Sequence, residues 1–275
     1  MRKRLLALSA ALLGVLLATT STAAAPGEYH APRQFYLALG DSLAYGFQRN
    51  GVFNAGYVDD LSVRLVDIQP GITTINFGCP GETTDSFVVV HCTSVLQPHD
   101  NYAGPQLTAA LAFLQAHTGH VSPITFDMGG NDLNHVLAAC LTQPDIAGCV
   151  RTNLPGALAQ VAGNLNLILG ELRAAAPRSE IIVLEYYNPF ALYPSVAALT
   201  TFVVGALNAT IAEVASAHGA RLADAFQPFN ITPPPGGLCP LVWACVAPFD
   251  IHPTSGGYQL IADQFWAASG YGTLD

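Results

Sequence analysis

The chain has 275 residues, 51% of them apolar, with 19 acidic against 10 basic residues and a formal net charge of −9. So apolar and charge-poor a composition excludes a disordered chain. The acidic balance argues against nucleic acid and against an anionic membrane surface as electrostatic partners, and it favours neutral or apolar small molecules.

The first segment is not fold. Arg2-Lys3-Arg4 is a basic start, 5–18 is an apolar run, and Thr22-Ala23-Ala24-Ala25 is a small-residue site. That order marks a secretory signal peptide over 1–25, with cleavage near Ala24 or Ala25. The run is short for a membrane span, and no stop-transfer signal follows it. The remaining 26–275 reads as a single exported domain with no integral membrane segment, sufficient as a monomer. Lys3 is the only lysine, so the mature chain keeps seven arginines against the 19 acids, a formal charge of −12.

An apolar stretch over 35–39, Phe35-Tyr36-Leu37-Ala38-Leu39, predicts a buried strand that runs into Gly40-Asp41-Ser42-Leu43. A serine at such a junction stands at the edge of a sheet, where open α/β sheets bind ligands. Val58, Leu61 and Leu65 share a helical face and predict a helix over 57–65. The β-branched 72–76 is a second strand, closed by the turn cluster Gly78-Cys79-Pro80-Gly81. Leu107, Leu111 and Leu114 predict a helix over 106–117. Strand 123–128 is broken by Gly129-Gly130, and a short helix follows over 132–140. A longer helix is expected over 154–176, ended by Pro177. Strand 180–186, helix 196–218 ended by Gly219, strand 220–223 and a closing helix over 254–268 complete the chain. Segments 84–105 and 227–248 read as long ordered loops. The alternation implies α/β architecture: a three-layer α/β/α sandwich on a central five-stranded parallel sheet.

Six cysteines follow the leader. Six allow fifteen pairings, and export favours disulfides. The sequence-local set joins Cys79 to Cys92, Cys140 to Cys149 and Cys239 to Cys245. No cluster has zinc-ligand spacing, so neither a metal nor another cofactor is expected.

Four polar sites fall at strand ends or before the last helix: Ser42; 76–83 with Gly81; Gly129-Gly130-Asn131-Asp132; and Asp250-Ile251-His252-Pro253. Their types suit acyl transfer, which needs a nucleophile, a base and donors aimed at the oxyanion. Ser42 is the candidate nucleophile and His252 the base. The Ser42 amide, the Gly81 amide and the Asn131 side chain are candidate oxyanion donors. The seven other histidines, at 30, 91, 99, 117, 120, 135 and 218, are read as surface or capping residues, and Asp224 as a cap. Val242 and Trp243 are either an apolar plug or a wall of an acyl pocket. Asn208 and Asn230 open glycosylation sequons.

Taken together, these blocks resemble the SGNH (GDSL) hydrolase family over 35–266. Gly40 to Leu43 matches its first block, 76–83 its second with Gly81 at the oxyanion glycine, 129–132 its third with Asn131 at the oxyanion asparagine, and 250–253 its last. The resemblance implies a flavodoxin-like sandwich and a metal-free secreted esterase or lipase acting on a small-molecule or lipid ester. The cysteines also resemble those of secreted actinobacterial-type members. One departure stands out: the family's Asp-x-x-His is here Asp-x-His, with Phe249 where the acid is expected. Asp250 is favoured to orient His252 through a local bend, with the Phe249 carbonyl as the alternative. An acyltransferase, a phospholipase or carbohydrate esterase, and a catalytically silent glycan- or lipid-binding module remain as other readings.

Overall fold

The computed structural model describes residues 31–234 and 236–273. The expected leader, 1–25, lies outside the described residues. Along the chain come β1 (Phe35–Gly40), α1 (Ser42–Tyr45), α2 (Tyr57–Ile68), β2 (Thr73–Asn76), α3 (Thr84–Val89), α4 (Gln106–Ala116), β3 (Val121–Asp127), α5 (Gly130–Leu141), α6 (Ile146–Ala175), β4 (Ile181–Glu185), α7 (Pro194–Ala217), β5 (Arg221–Asp224) and α8 (Ser255–Ser269).

All strand pairs are parallel, in the order β2-β1-β3-β4-β5. β1 and β3 are central and have helices on both faces, so their sequences are nearly continuous apolar runs rather than alternating ones. Right-handed crossovers put the helices of the rightward connections, α3 to α7, on one face. α2, from the leftward connection, packs with α8 on the other. The register pairs Ala38 with Asn76, Gly40 with Asp127 and Glu185 with Asp224, which lines up the strand C-termini. The order reverses between β1 and β3. In open α/β sheets the crevice at such a switch point binds ligand, and Ser42 and Asn131 leave the sheet there.

Three local features differ from the expected elements. α6 begins at Ile146 rather than 154, capped by Asp145, whose carboxylate accepts the Gly148 amide. It runs through Pro155, which costs a helical hydrogen bond that burial of Val150 and Leu154 offsets. The segment read as loop 84–105 contains α3, started by a reciprocal Thr83–Ser86 cap. The 227–248 loop holds two short helical turns, Gln227–Ile231 and Trp243–Cys245. Among the described residues, α7 alone is long and apolar enough to cross a membrane. In this fold it is a sandwich layer: Val203, Leu207, Ile211 and Val214 are buried.

The three disulfides are those of the sequence-local pairing, Cys79–Cys92, Cys140–Cys149 and Cys239–Cys245. The two sequon asparagines are structural. Asn208 pairs both amide atoms with the Tyr186 backbone, each at 2.8 Å. Asn230 does the same with Asn188, at 2.8 and 2.9 Å.

Candidate active site

β1 ends at Gly40 with φ +147°, and a side chain there would collide with Asp127, so only glycine lets the strand end so close to β3. The Gln106 amide clasps both backbone groups of Gly40, at 2.8 and 3.0 Å, and reaches the Glu82 carboxylate at 3.3 Å. Asp41 caps α1, accepting the Leu43 amide at 2.9 Å. Ser42 is thus the first residue of a short helix fixed from three directions.

His252 comes from the other end of the chain. Its Nε2 lies 2.8 Å from Ser42 Oγ, and its Nδ1 lies 2.7 Å from Asp250 Oδ1. The same Asp250 oxygen accepts the His252 backbone amide at 2.8 Å. This is an Asx turn, in which a carboxylate bonds the amide two residues on, and it is how an Asp-x-His spacing brings acid and imidazole together. The Phe249 side chain turns away to stack on Phe190. Burial raises the Asp250 pKa, but the two hydrogen bonds from His252 and the nearby cationic charges outweigh it, so the carboxyl sits below its ordinary value.

The backbone of His252 is also held. Its carbonyl accepts the Trp243 amide at 3.0 Å, Tyr187 donates to the Ile251 carbonyl at 2.7 Å, and Val242 bridges Pro253. Val242 and Trp243 therefore do not line the pocket; they form the support beneath His252, inside the loop closed by Cys239–Cys245.

Gly81 has φ +86°, and a Cβ added there would meet no atom within 4 Å, so its conformation rather than space demands glycine. Among the described residues, neither its amide nor that of Ser42 donates to a protein acceptor. Asn131, in the first turn of α5, directs its amide nitrogen to the Glu82 carbonyl at 2.8 Å and to Asp41 Oδ2 at 3.3 Å. Two acceptors on one side fix which end of the amide points there. Asp132 instead binds Thr84, through the hydroxyl at 2.6 Å and the amide at 3.0 Å, tying α5 to α3.

Sequence reasoning missed the buried pair behind the serine. Asp127 accepts the Tyr57 hydroxyl at 2.6 Å and the Asp41 and Ala44 amides at 3.2 and 3.3 Å. Burial raises both carboxyls, Asp127 well above its ordinary value. Two adjacent buried carboxyls cannot both ionise cheaply, so the charge of Asp41 adds to burial in holding Asp127 up. Tyr186 donates to Asp41 at 3.1 Å. The signal available was an acid inside an otherwise apolar strand, 123–128. Arg49, which donates to the backbone of 246–248, carried no such signal.

A pocket of about 610 Å³, counting its open mouth, extends from Ser42 between α5 and α7. Its walls include Leu133, Leu137, Phe190, Val203, Leu207 and Ile251. Apolar walls with a few polar groups at one end suit a small-molecule site.

The model of the GDSL-like Lipase/Acylhydrolase family matches residues 38–260. No curated protein matches the chain at a significant level. Among solved structures, the chain is similar to an extracellular lipase from Streptomyces rimosus, at 18% identity and TM-score 0.62 over 86% of this chain and 99% of that one. A phospholipase A1 from Streptomyces albidoflavus gives 18% and 0.61 over 86% and 99%. A variant of an acetyl xylan esterase from Geobacillus stearothermophilus gives 16% and 0.56 over 88% and 96%. At these identities the structural likenesses speak to the fold.

Proposed function

The chain belongs to the GDSL-like lipase/acylhydrolase family and is an ester-bond hydrolase, and from that premise we propose that it is a secreted serine esterase or lipase working through Ser42, His252 and Asp250. The observation that carries this reading is the continuous run Ser42 Oγ, His252 Nε2, His252 Nδ1, Asp250 Oδ1, with contacts of 2.8 and 2.7 Å.

Ser42 Oγ attacks the acyl carbonyl while His252 Nε2 takes its proton. The imidazolium keeps its Nδ1–H on Asp250, which fixes the tautomer and balances the new charge. The tetrahedral oxyanion accepts from the Ser42 and Gly81 amides, which have no competing protein acceptor, and from Asn131. The 3.3 Å Asn131–Asp41 contact is the weaker of its two bonds and the one the oxyanion displaces. His252 then returns the proton to the leaving alkoxide, freeing the alcohol. Water enters, His252 takes one of its protons as the water oxygen bonds to the acyl carbon, and the second tetrahedral intermediate breaks the acyl–Oγ bond while His252 returns the proton to Ser42 Oγ, giving the carboxylic acid and restored serine.

The aliphatic and aromatic pocket walls support an apolar acyl chain; beyond the reacting groups and the two tyrosines, the polar lining residues are Asp41, beside Ser42, and Asn134. Three disulfides and the basic-apolar leader support action outside the cell. The test is hydrolysis of p-nitrophenyl esters from acetate to palmitate, with Ser42→Ala in parallel and fluorophosphonate labelling of both. Activity and labelling that vanish together in Ser42→Ala are expected. A folded wild type that neither hydrolyses nor labels overturns the reading in favour of a binding module.

A further inference from the structure

Ser42 and His252 are 210 positions apart in the chain, so their contact depends on how the 246–252 segment is held against the turn that follows the serine. Three consecutive residues of that turn take hold of it. The Phe47 ring lies 4.5 Å from the His252 ring, centroid to centroid. Gln48 accepts the Ser255 hydroxyl at 3.2 Å. Arg49 does the most: its Nη1 donates to the Val246 carbonyl at 2.9 Å and the Pro248 carbonyl at 2.6 Å, and its Nη2 to the Ala247 carbonyl at 3.1 Å. Its guanidinium carbon also sits 5.8 Å from the centre of the Trp243 ring.

This use of an arginine is specific. A planar fork of donors can span three successive carbonyls, whereas an ammonium is a point charge that cannot hold all three in one geometry. Among the described residues Arg49 forms no ion pair with a carboxylate. Its charge is spent on carbonyl dipoles, one residue short of Phe249 and two short of Asp250. The net +1 therefore stands close enough to Asp250 to favour its ionised form.

We propose that Arg49 is a positioning residue for the proposed ester hydrolysis: by gripping the carbonyls of 246–248 it sets where Asp250 stands, and through Asp250 where His252 Nε2 meets Ser42 Oγ. The inference rests on the reading of Ser42, His252 and Asp250 as the reacting relay. Displacing a reacting group by about 1 Å costs up to about 100-fold in rate, so a clamp far from the substrate acts on turnover without touching substrate binding.

The experiment compares the full disulfide-bonded protein with Arg49→Met, Arg49→Lys and a control, Arg64→Met, which removes a cation paired with Asp263 on the surface between α2 and α8. Hydrolysis of p-nitrophenyl butyrate gives kcat and KM; the fluorophosphonate labelling rate reads Ser42 reactivity without any assumption about substrate. Both are normalised to folded protein. Arg49→Met is expected to lower kcat and the labelling rate together by roughly 10- to 100-fold, with KM within threefold. Arg49→Lys, which keeps the charge but not the planar fork, is expected to recover only part of kcat. The control stays within twofold throughout. Arg49→Met with wild-type kcat and labelling rate, or a loss that disappears on normalising to folded protein, overturns the clamp and leaves the relay standing. A wild type that neither labels nor turns over removes the relay and the clamp together. Arg49→Lys carries the test if Arg49→Met does not fold: per folded protein, a clamp predicts reduced kcat and labelling rate with KM unchanged, and a merely stabilising arginine predicts wild-type values for all three.

Discussion

Replacing Asp250 by asparagine separates two things a carboxylate does for a histidine: it supplies charge, and it selects the tautomer. Where an amide flips, its NH₂ faces Nδ1, the imidazole takes the unproductive tautomer and turnover falls by about 10⁴ in the serine-protease case. The geometry here guards against the flip. Asp250 Oδ1 accepts from the His252 backbone amide at 2.8 Å as well as from Nδ1 at 2.7 Å. In the Asp250→Asn variant an NH₂ at that place would meet a backbone N–H head on, so the amide oxygen takes it and Nδ1–H still has an acceptor. What is lost is the charge. At about 4 Å between charge centres and an effective dielectric near 20, a carboxylate stabilises an imidazolium by about 4 kcal/mol. The side chains are 18% and 19% exposed, so partial screening leaves about 2–4 kcal/mol. That is roughly 30- to 1,000-fold in kcat. Asp250→Ala removes the oxygen and the turn as well, and should fall at least tenfold further. The assay is kcat on a p-nitrophenyl ester for the three proteins, with nitrogen NMR of His252 reading the tautomer. Asp250→Asn no better than Asp250→Ala, or carrying its proton on Nε2, would refute the argument.

The pocket walls predict chain-length selectivity: Val203→Trp, in the α7 wall of the pocket, should leave acetate hydrolysis within about threefold while cutting activity on octanoate and longer esters by tenfold or more, read from the same ester series. Asn208→Ala should leave the Tyr186 amide and carbonyl buried without partners, costing about 2–4 kcal/mol and lowering the melting temperature by roughly 5–15 °C; by the same geometry Asn208 should stay unmodified when folded protein meets an oligosaccharyltransferase, by intact mass. Glu185, pushed up to about 7 by burial and then by Asp224, holds a proton in the folded state that the unfolded chain has released, so its contribution to stability falls as pH rises from the ordinary glutamate range to about 7 and is flat above. Glu185→Gln should therefore raise stability at pH 8 by about 1 kcal/mol, allowing for its half-exposed position, and change nothing at pH 4, by thermal melts across that range.

The sheet was legible because its strands announce themselves locally. The apolar runs at 35–39 and 181–184 need no partner to be recognised, and alternation with helical spacing implies parallel pairing. The helix starts were less legible. α6 begins at Ile146, eight residues before the expected boundary, because its first turns are stabilised by the burial of Val150 and by the Cys149–Cys140 bridge, while Pro155 marks a start at 154 in the local pattern. α3 hides behind a Thr83–Ser86 cap in a stretch whose turn residues dominate the sequence signal.

The site divides in the same way. Ser42, Gly81, Asn131 and His252 stand at strand ends and turns, where residue type and position in the alternation are informative, and the fold brings all four to one edge. The acid was ambiguous because spacing alone cannot say whether two residues suffice to turn a carboxylate back; the Asx turn is what allows it. Asp127, Gln106 and Arg49 were not legible as site residues, since each acts through a contact more than 65 positions away. The disulfides complete the pattern. Closing loops with sequence separations of 13, 9 and 6, they each stabilise by about 2–3 kcal/mol on chain-entropy grounds, less than a bridge between distant elements would give. Their positions are informative instead. Cys79–Cys92 pins the turn that presents Gly81, Cys140–Cys149 fixes the far end of the helix whose first turn holds Asn131, and Cys239–Cys245 closes the loop whose Trp243 amide bonds the His252 carbonyl. The covalent restraints thus fall on the segments that must be held to a fraction of an ångström, while the sheet beneath them is held by burial and strand pairing.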